Sequence, residues 1–398
     1  MNIKLIKTLV SELIKTTRMM TRVFFRPIYR LFRFIMWVSP ALGNVMSSRI
    51  TNGRRILLIY DFSYQPFSIG DFLFIQEASL ILCQKHQVDI VDLAIVYDYS
   101  NPTPYDPVFA NVISKNNIVN NILAILPIAQ VNQNLGSTFV FNSPEQLQHY
   151  IVDNADRYHV WPSGWKVATR QFLTPLIIND LIYSHYKEHG SIPSLSCSSF
   201  LKDWAANFYH KYLPNQIPVT VNIRNNKKWH IHRNSHIDSW IEFFQYCETR
   251  YPVKFIIICS FSEIDDRFRK LCNVIIAKDF QSGIEHDMAL ISTSAIHMGA
   301  NSGPVTMALF NSKPYLTVNT VFKIGEYYSH PDIIKQVESN IQSFCFAGPL
   351  QRIANDVESA ELLVREFVLM WEGVDLQHWQ STSNLAGKPQ TNLHNLMR

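Results

Sequence analysis

The chain has 398 residues, 47% of them hydrophobic and only 17% charged, which is long and apolar enough for two or three domains and excludes global disorder. Thirteen glycines exclude collagen-like and Gly-rich low-complexity classes. The net charge of +4 is unevenly placed: residues 1–33 carry eight Lys and Arg against the single acid Glu12, a net +7, so the other 365 residues sum to −3. A weakly acidic body argues against a nucleic-acid groove across the fold and puts any anionic target at the amino-terminal end.

The cations of that leader stand at Lys4, Lys7, Lys15, Arg18, Arg22, Arg26, Arg30 and Arg33, with Ser11 filling the one gap. Steps of three and four keep them on one helical face, while Leu9, Leu13, Phe24, Ile28 and Leu31 fall on the rest. Pro27 kinks or splits such a helix. An apolar face bordered by Lys and Arg is the pattern of a helix lying in a membrane interface, and residues 1–45 are expected to bind an anionic leaflet. Packing on the body or on a protein partner is the alternative. No stretch of eighteen uncharged apolar residues exists, so a spanning helix is not expected.

In the body, strands are expected at 56–62 (ILLIYDF), 88–98, 137–142 and 158–161, with an apolar helix over 71–86 after the first strand and a Pro-rich loop at 101–107. Residues 165–215 read as helices broken by a Ser-rich stretch at 191–199. A second alternating series then begins. Its strands are 217–224, 253–260, 273–278, 295–300 and 313–319, and helices fit at 237–250, 262–271, 283–292 and 304–310. Near-continuous apolar strands such as 255–259 (FIIIC) are what buried parallel strands look like. The expected fold is α/β, with two doubly wound parallel-sheet domains behind an amphipathic helical leader. The division is 1–50 leader, 51–210 first domain, 211–355 second domain, 356–379 carboxyl-terminal helix and 380–398 disordered tail. The six cysteines form no CxxC pair and read as reduced thiols.

Ligands of open α/β sheets bind beyond the carboxyl ends of strands, so the chemistry is sought there. After strand 217–224 come Arg224, Lys227, Lys228 and Arg233, four cations in ten residues suited to a phosphate or diphosphate. His230, His232 and His236 share this segment, but nothing beside them completes a metal set, and no metal is expected. After strand 295–300 come Asn301, Ser302, Gly303, Pro304 and Thr306: a glycine for close approach, a proline suited to a helix start, and hydroxyls. In the segment 279–287, Glu285 is placed either to accept from a ribose or sugar hydroxyl or, with Asp287, to favour its own helix start. In the first half Gly70 and Asp71 open the first helix. Asp71 is either a general base, kept ionised by the helix dipole, or a plain helix N-cap.

The Gly70–Asp71 pair after a short first strand resembles the start of the heptosyltransferases. Residues 299–309, followed by Lys313 and Pro314, are similar to the donor-binding helix and next strand of GT-B glycosyltransferases. Residues 217–233 resemble the strand-end arginine segment of capsule, lipopolysaccharide and fucosyltransferase-like enzymes. The resemblance covers 55–85 and 217–320. It implies a GT-B-like architecture of two Rossmann-like domains, with the acceptor in the first and a nucleotide-sugar in the second. Transfer would be inverting and metal-independent, and the nucleotide-sugar would be a substrate with no cofactor. Asp71 would be the catalytic base beside Gly70 at the acceptor cleft. Arg224, Lys228, Arg233, Glu285, Asn301, Ser302, Gly303, Pro304 and Thr306 would meet the donor.

A lipid-linked or cell-envelope saccharide is the implied acceptor, which with the leader implies a peripheral protein at the cytoplasmic face of the inner membrane. Two features depart from the family: the leader itself, and Asn301-Ser302-Gly303-Pro304 where heptosyltransferases carry a Gly-Leu-Ser or Gly-Met-His type of run. The donor base and sugar are therefore not carried over. A pyruvyltransferase or nucleotide-sugar epimerase on the same fold is the alternative, as is a non-catalytic membrane-associated relative.

Overall fold

Two series of short apolar strands, each strand followed by a connection that returns the chain to the same edge, leave parallel pairing as the way to satisfy the backbone. The computed structural model describes residues 54–65, 68–100, 118–170, 175–227, 231–320 and 343–374. The leader, the loop at 101–107, Lys228, His230 and the tail lie outside the described residues.

The first lobe runs β1 (Arg55–Asp61), α1 (Ile69–His86), β2 (Val91–Val96), α2 (Ile118–Ile125), β3 (Leu135–Phe141), α3 (Pro144–Asp153) and β4 (Tyr158–Trp161). Its four strands are all parallel, in the order β3-β2-β1-β4. After α4 (Pro175–His189) and α5 (Ser199–Tyr212) comes the second lobe. It runs β5 (Ile217–Asn222), α6 (Ile237–Glu248), β6 (Val253–Ile258), β7 (Val274–Ile276), α7 (Ile284–Thr293), β8 (Ile296–Ala300), α8 (Val305–Leu309), β9 (Tyr315–Val318), β10 (Gln351–Ile353) and α9 (Ala360–Gly373). These six strands are also all parallel, in the order β10-β9-β8-β5-β6-β7. Read outward from its first strand, this is the Rossmann order, and the strand order reverses between β5 and β8. The first lobe repeats the first four strands of the same scheme and reverses between β1 and β4.

Burial follows from the topology. Strands β2 and β5 are buried along their whole length because helices cover both faces, whereas edge strand β3 is nowhere fully buried. One apolar core is shared between lobes: Phe72, Leu73 and Ile75 of α1 join Met288, Leu290 and Met307 of α7 and α8. Phe74 meets Phe310 edge to face at 4.8 Å. The Tyr209 hydroxyl donates to the Leu290 carbonyl at 3.0 Å, and the Leu195 N–H to the Phe310 carbonyl at 2.7 Å, so α5 and the segment before it pin the second lobe. A second core, built on Trp240, Phe243, Phe255 and Phe367, fills the other face of the larger sheet.

Three details differ from the sequence expectation. The helix expected over 262–271 is two 3-10 turns, Phe261–Glu263 and Asp266–Lys270. Ile264 and Asp265 between them are extended, and the Asp265 carboxylate caps the second turn by accepting from the Arg267 N–H at 3.0 Å. The second sheet has a sixth strand, β10, whose three residues are too short for a periodic signal. Helices α2 and α3 were not anticipated, although Ser143 before Pro144 is a helix-start signal and caps α3 through the Gln146 N–H.

At the reversal of the second sheet, Asn222 of β5 stands opposite Gly299 of β8. Gly299 has φ +154°, and a Cβ there would lie 2.5 Å from the Asn222 carbonyl oxygen and 2.8 Å from its Cβ. Only glycine permits both that backbone and that approach. Gly299→Ala is expected to destabilise the protein by at least about 2 kcal/mol, through backbone strain and overpacking. Chemical denaturation measures it, and an unchanged unfolding midpoint would contradict the reading.

Candidate active site

The reversal crevice of the second lobe is where an open α/β sheet presents a ligand site, and its two walls are bound to each other. Asn222 is 2% exposed. Its Nδ2 donates to the Ala300 carbonyl at 3.2 Å and to Ser302 Oγ at 2.7 Å. A Ser302 oxygen that accepts from Asn222 keeps its own proton to donate elsewhere. The Arg233 guanidinium donates through Nε at 3.0 Å, and through Nη2, to the Asn301 carbonyl, while the Asn301 N–H donates to Val318 at 2.9 Å. The bond to the Asn301 carbonyl holds the Arg233 guanidinium against the turn. Arg224 is partly buried at the end of β5, its N–H donating to Ser235 Oγ at 3.1 Å, and Lys227 beside it is exposed.

The helix start at Pro304 differs from the expectation. Pro304 is the cap rather than the first helical residue, and α8 has only five residues. The N–H groups of Val305, Thr306 and Met307 donate to the carbonyls of Ser302, Gly303 and Pro304. Any backbone donors the turn presents therefore belong to Ser302 and Gly303.

Gly303 and Thr306 face the other lobe. A Cβ on Gly303 would lie 2.7 Å from Ile69 Cβ and 3.2 Å from the Gly70 nitrogen; one on Gly70 would lie 3.3 Å from Thr306 Oγ1. Gly70, next to Asp71 in the chain, is thus set directly against the turn after β8. Ser68, not Asp71, caps α1: Asp71 is the third helical residue, its N–H donates to Ser68 Oγ at 3.1 Å, and the Ser68 hydroxyl donates to Asp71 Oδ2. Burial pushes the Asp71 carboxyl above the ordinary carboxylate range, against the lowering contributed by Ser68 and its own backbone. That corrects the expected lowering by the helix dipole: loss of solvent outweighs it. The same environment makes Asp71 a stronger proton acceptor than a surface aspartate.

Glu285 and Asp287 separate. Asp287 is 2% exposed, accepts from Lys278 Nζ at 2.6 Å and from Ser282 Oγ at 2.7 Å, and is pushed up to about 6 by burial in spite of Lys278. It is a structural ion pair. Glu285 folds back over Gly283, with Oε1 3.7 Å from His286 Nδ1. It remains half-buried at the start of α7.

Two further charged groups stand at the reversal of the first sheet, and the sequence reading passed over them. Asp61 ends β1 and is 4% exposed. Its Oδ1 accepts from the Ser63 N–H at 2.9 Å, and Oδ2 lies 3.7 Å from Arg170 Nε. Arg170 in turn covers the Tyr64 ring at 5.1 Å. The signal available was a charge inside the run ILLIYDF, as it was an amide closing the run IPVTVN for Asn222.

No protein-family model and no curated protein matches the sequence. The structure is similar to that of ADP-heptose LPS heptosyltransferase II from E. coli, at 10% identity and a TM-score of 0.48 over 82% of this chain and 99% of that one. It is similar to a family 9 glycosyl transferase from Veillonella parvula, at 12% identity and 0.48 over 80% and 97%. A UDP-GlcNAc 2-epimerase from Neisseria meningitidis matches at 11% identity and 0.29 over 80% and 77%. Both lobes are all-parallel α/β, and at these identities the chemistry rests on this chain's own residues.

Burial, partly offset by Arg170, raises Asp61 from its ordinary value to about 6. A carboxyl raised by folding adds stability below its unfolded pKa and loses it as the pH rises through 6. Asp61→Asn does not ionise, so its melting temperature should gain on the parent's between pH 4 and pH 7, by the equivalent of roughly 2–3 kcal/mol. A gap that stays flat or closes with rising pH would contradict this.

Proposed function

We propose that the chain is a glycosyltransferase that moves a sugar from a nucleotide-sugar to a saccharide acceptor, inverting and without a metal ion. The observation that carries the reading is the packing of Gly70 against Gly303 and Thr306 of the other lobe, with Asp71, a carboxylate with a raised pKa, next to Gly70 in the chain. Glycosyl transfer needs a base and a leaving-group cradle on opposite sides of one anomeric carbon. In the proposed step the acceptor oxygen bonds to that carbon as the bond to the diphosphate oxygen breaks, and the hydroxyl proton passes to Asp71. In this reading the departing negative charge is met by Arg224, Arg233, Lys228, the Ser302 hydroxyl and the backbone at 302–303. Asn222 and Gly299 position Ser302, and Gly70 allows the lobes to meet. Glu285, Asn301, Pro304 and Thr306 line the donor side in this reading.

A base of this kind takes its proton late, so position matters more than basicity. Asp71→Asn keeps the shape and the Ser68 cap. It is expected to lower turnover about 10²-fold or more with nucleotide-sugar affinity nearly unchanged. Turnover and titration with ADP-, GDP- and UDP-sugars on this variant decide the matter. Near-normal turnover removes Asp71 as the base.

The acceptor in this proposal is a lipid-linked or cell-envelope saccharide, as in lipopolysaccharide or capsule synthesis, met at the cytoplasmic face of the inner membrane by a peripheral protein. What supports it is the sequence of residues 1–45, and no helix among the described residues is long and apolar enough to cross a membrane. Deletion of residues 1–45 should abolish sedimentation with anionic vesicles. Binding by the full chain should weaken as salt rises, since attraction between exposed charges is screened within about 10 Å at 0.1 M salt. Retention that salt leaves unchanged would contradict an electrostatic surface contact.

A further inference from the structure

A cavity of about 380 Å³ opens in the second lobe, away from the Gly70–Asp71 contact, and the transfer reading does not use it. Its walls come from three loops at strand carboxyl ends: 232–236 after β5, 319–320 after β9 and 354–358 after β10. One side chain fastens the three. Glu358 is 7% exposed; it accepts from Trp240 Nε1 through Oε1, and through Oε2 from the His236 N–H and Asn319 Nδ2, both at 2.7 Å. Asn319 holds a left-handed backbone, φ +55°, and its Nδ2 also donates to the Asn234 carbonyl at 3.1 Å. The cavity is therefore built by a buried carboxylate rather than left between mobile loops.

The chemistry of its walls selects a ligand. Both carboxylates are already answered, Glu358 by three N–H donors and Asp356 by Arg365 at 2.9 Å. What remains for a ligand is a hydroxyl, an imidazole nitrogen and an amide oxygen. Thr320 Oγ1 is enclosed and has no hydrogen-bond partner. His236 Nδ1 is engaged with Ser239 Oγ at 2.7 Å, so Nε2 is the ring atom left for a ligand. Asn319 spends only its Nδ2 on the protein, leaving Oδ1. A phosphate would meet two carboxylates here, and an apolar group would leave a hydroxyl and an amide unanswered. Hydroxyl groups, each both donor and acceptor, match the set. The volume lies within the range of small-molecule sites.

We infer that this cavity is a saccharide-binding site, taking a neutral sugar ring against Thr320, His236 and Asn319. The inference does not depend on the transfer reading, because a free sugar binds here whether or not the protein transfers one.

The test is saturation-transfer NMR on the full chain with methyl glycosides of glucose, galactose and mannose and with N-acetylglucosamine as probes, repeated in excess inorganic pyrophosphate. At least one glycoside should receive saturation, and pyrophosphate should leave the signal in place. Thr320→Val, which keeps the shape, and His236→Phe, which keeps a ring, should each weaken binding about fivefold, the loss of one neutral hydrogen bond. Melting curves on both variants separate local loss from unfolding, and the variant that stays folded decides. No saturation of any glycoside overturns the inference, as does binding that neither folded variant weakens. Displacement by pyrophosphate also overturns it, since that would place the sugar in the anion crevice. An inactive Asp71→Asn variant that still binds the glycoside leaves the cavity assignment standing, so the two readings fail separately.

Discussion

The close approach of β8 to β5 at Gly299 and Asn222 is the constraint on which the rest of the second lobe depends. A parallel sheet that reverses its order opens a crevice between two strands whose connections leave in opposite directions. In this protein the crevice is not left loose. The absence of a Cβ at Gly299 lets the Asn222 backbone come within contact distance, and the Asn222 amide then ties the Ala300 carbonyl and the Ser302 hydroxyl to β5. The turn that follows has its position set from both ends: Arg233 holds the Asn301 carbonyl, and Gly303 meets Ile69 of the other lobe.

From that fixed turn the relation between lobes follows. Gly303 and Gly70 are glycines for one shared reason, since a side chain on Gly303 would press on Ile69 and one on Gly70 would crowd Thr306. The helix that begins at Ile69 therefore docks on the helix that begins at Val305, and the apolar residues of α1, α7 and α8 merge into one core. Asp71 follows Gly70 on the same helix, and loss of solvent raises its pKa.

The carboxylates of the protein divide by how their charge is answered. Asp287 and Glu358 are buried with full sets of donors and serve as clips, one inside the segment before α7 and one across three loops of the second lobe. Asp61 has Arg170 at a long 3.7 Å, and among the described residues Asp71 is held by Ser68 at its own helix start. Asp61 and Asp71 both stand toward the carboxyl end of the first sheet. Burial raises Asp61 and Asp287 to about 6 and pushes Asp71 and Glu77 above the ordinary carboxylate range.

Much of this architecture was legible in the sequence, because a strand buried on both faces must be apolar throughout. The runs ILLIYD, VDLAIV, IPVTVN and VKFIII give the parallel strands and their order along the chain. Gly70–Asp71 and Asn301–Pro304 were legible as strand-end segments, since ligand groups follow strands in such folds. The strand order was not, because pairing between β5 and β8 joins residues some eighty positions apart, and nothing local encodes it. For the same reason Asn222 and Asp61 passed as parts of strands, and their roles appear only when a second strand and a distant arginine are brought to them. The direction of the Asp71 shift was misread from local reasoning. A helix start is a property of the neighbouring sequence, whereas the loss of solvent that outweighs it is decided by the tertiary packing around Asp71.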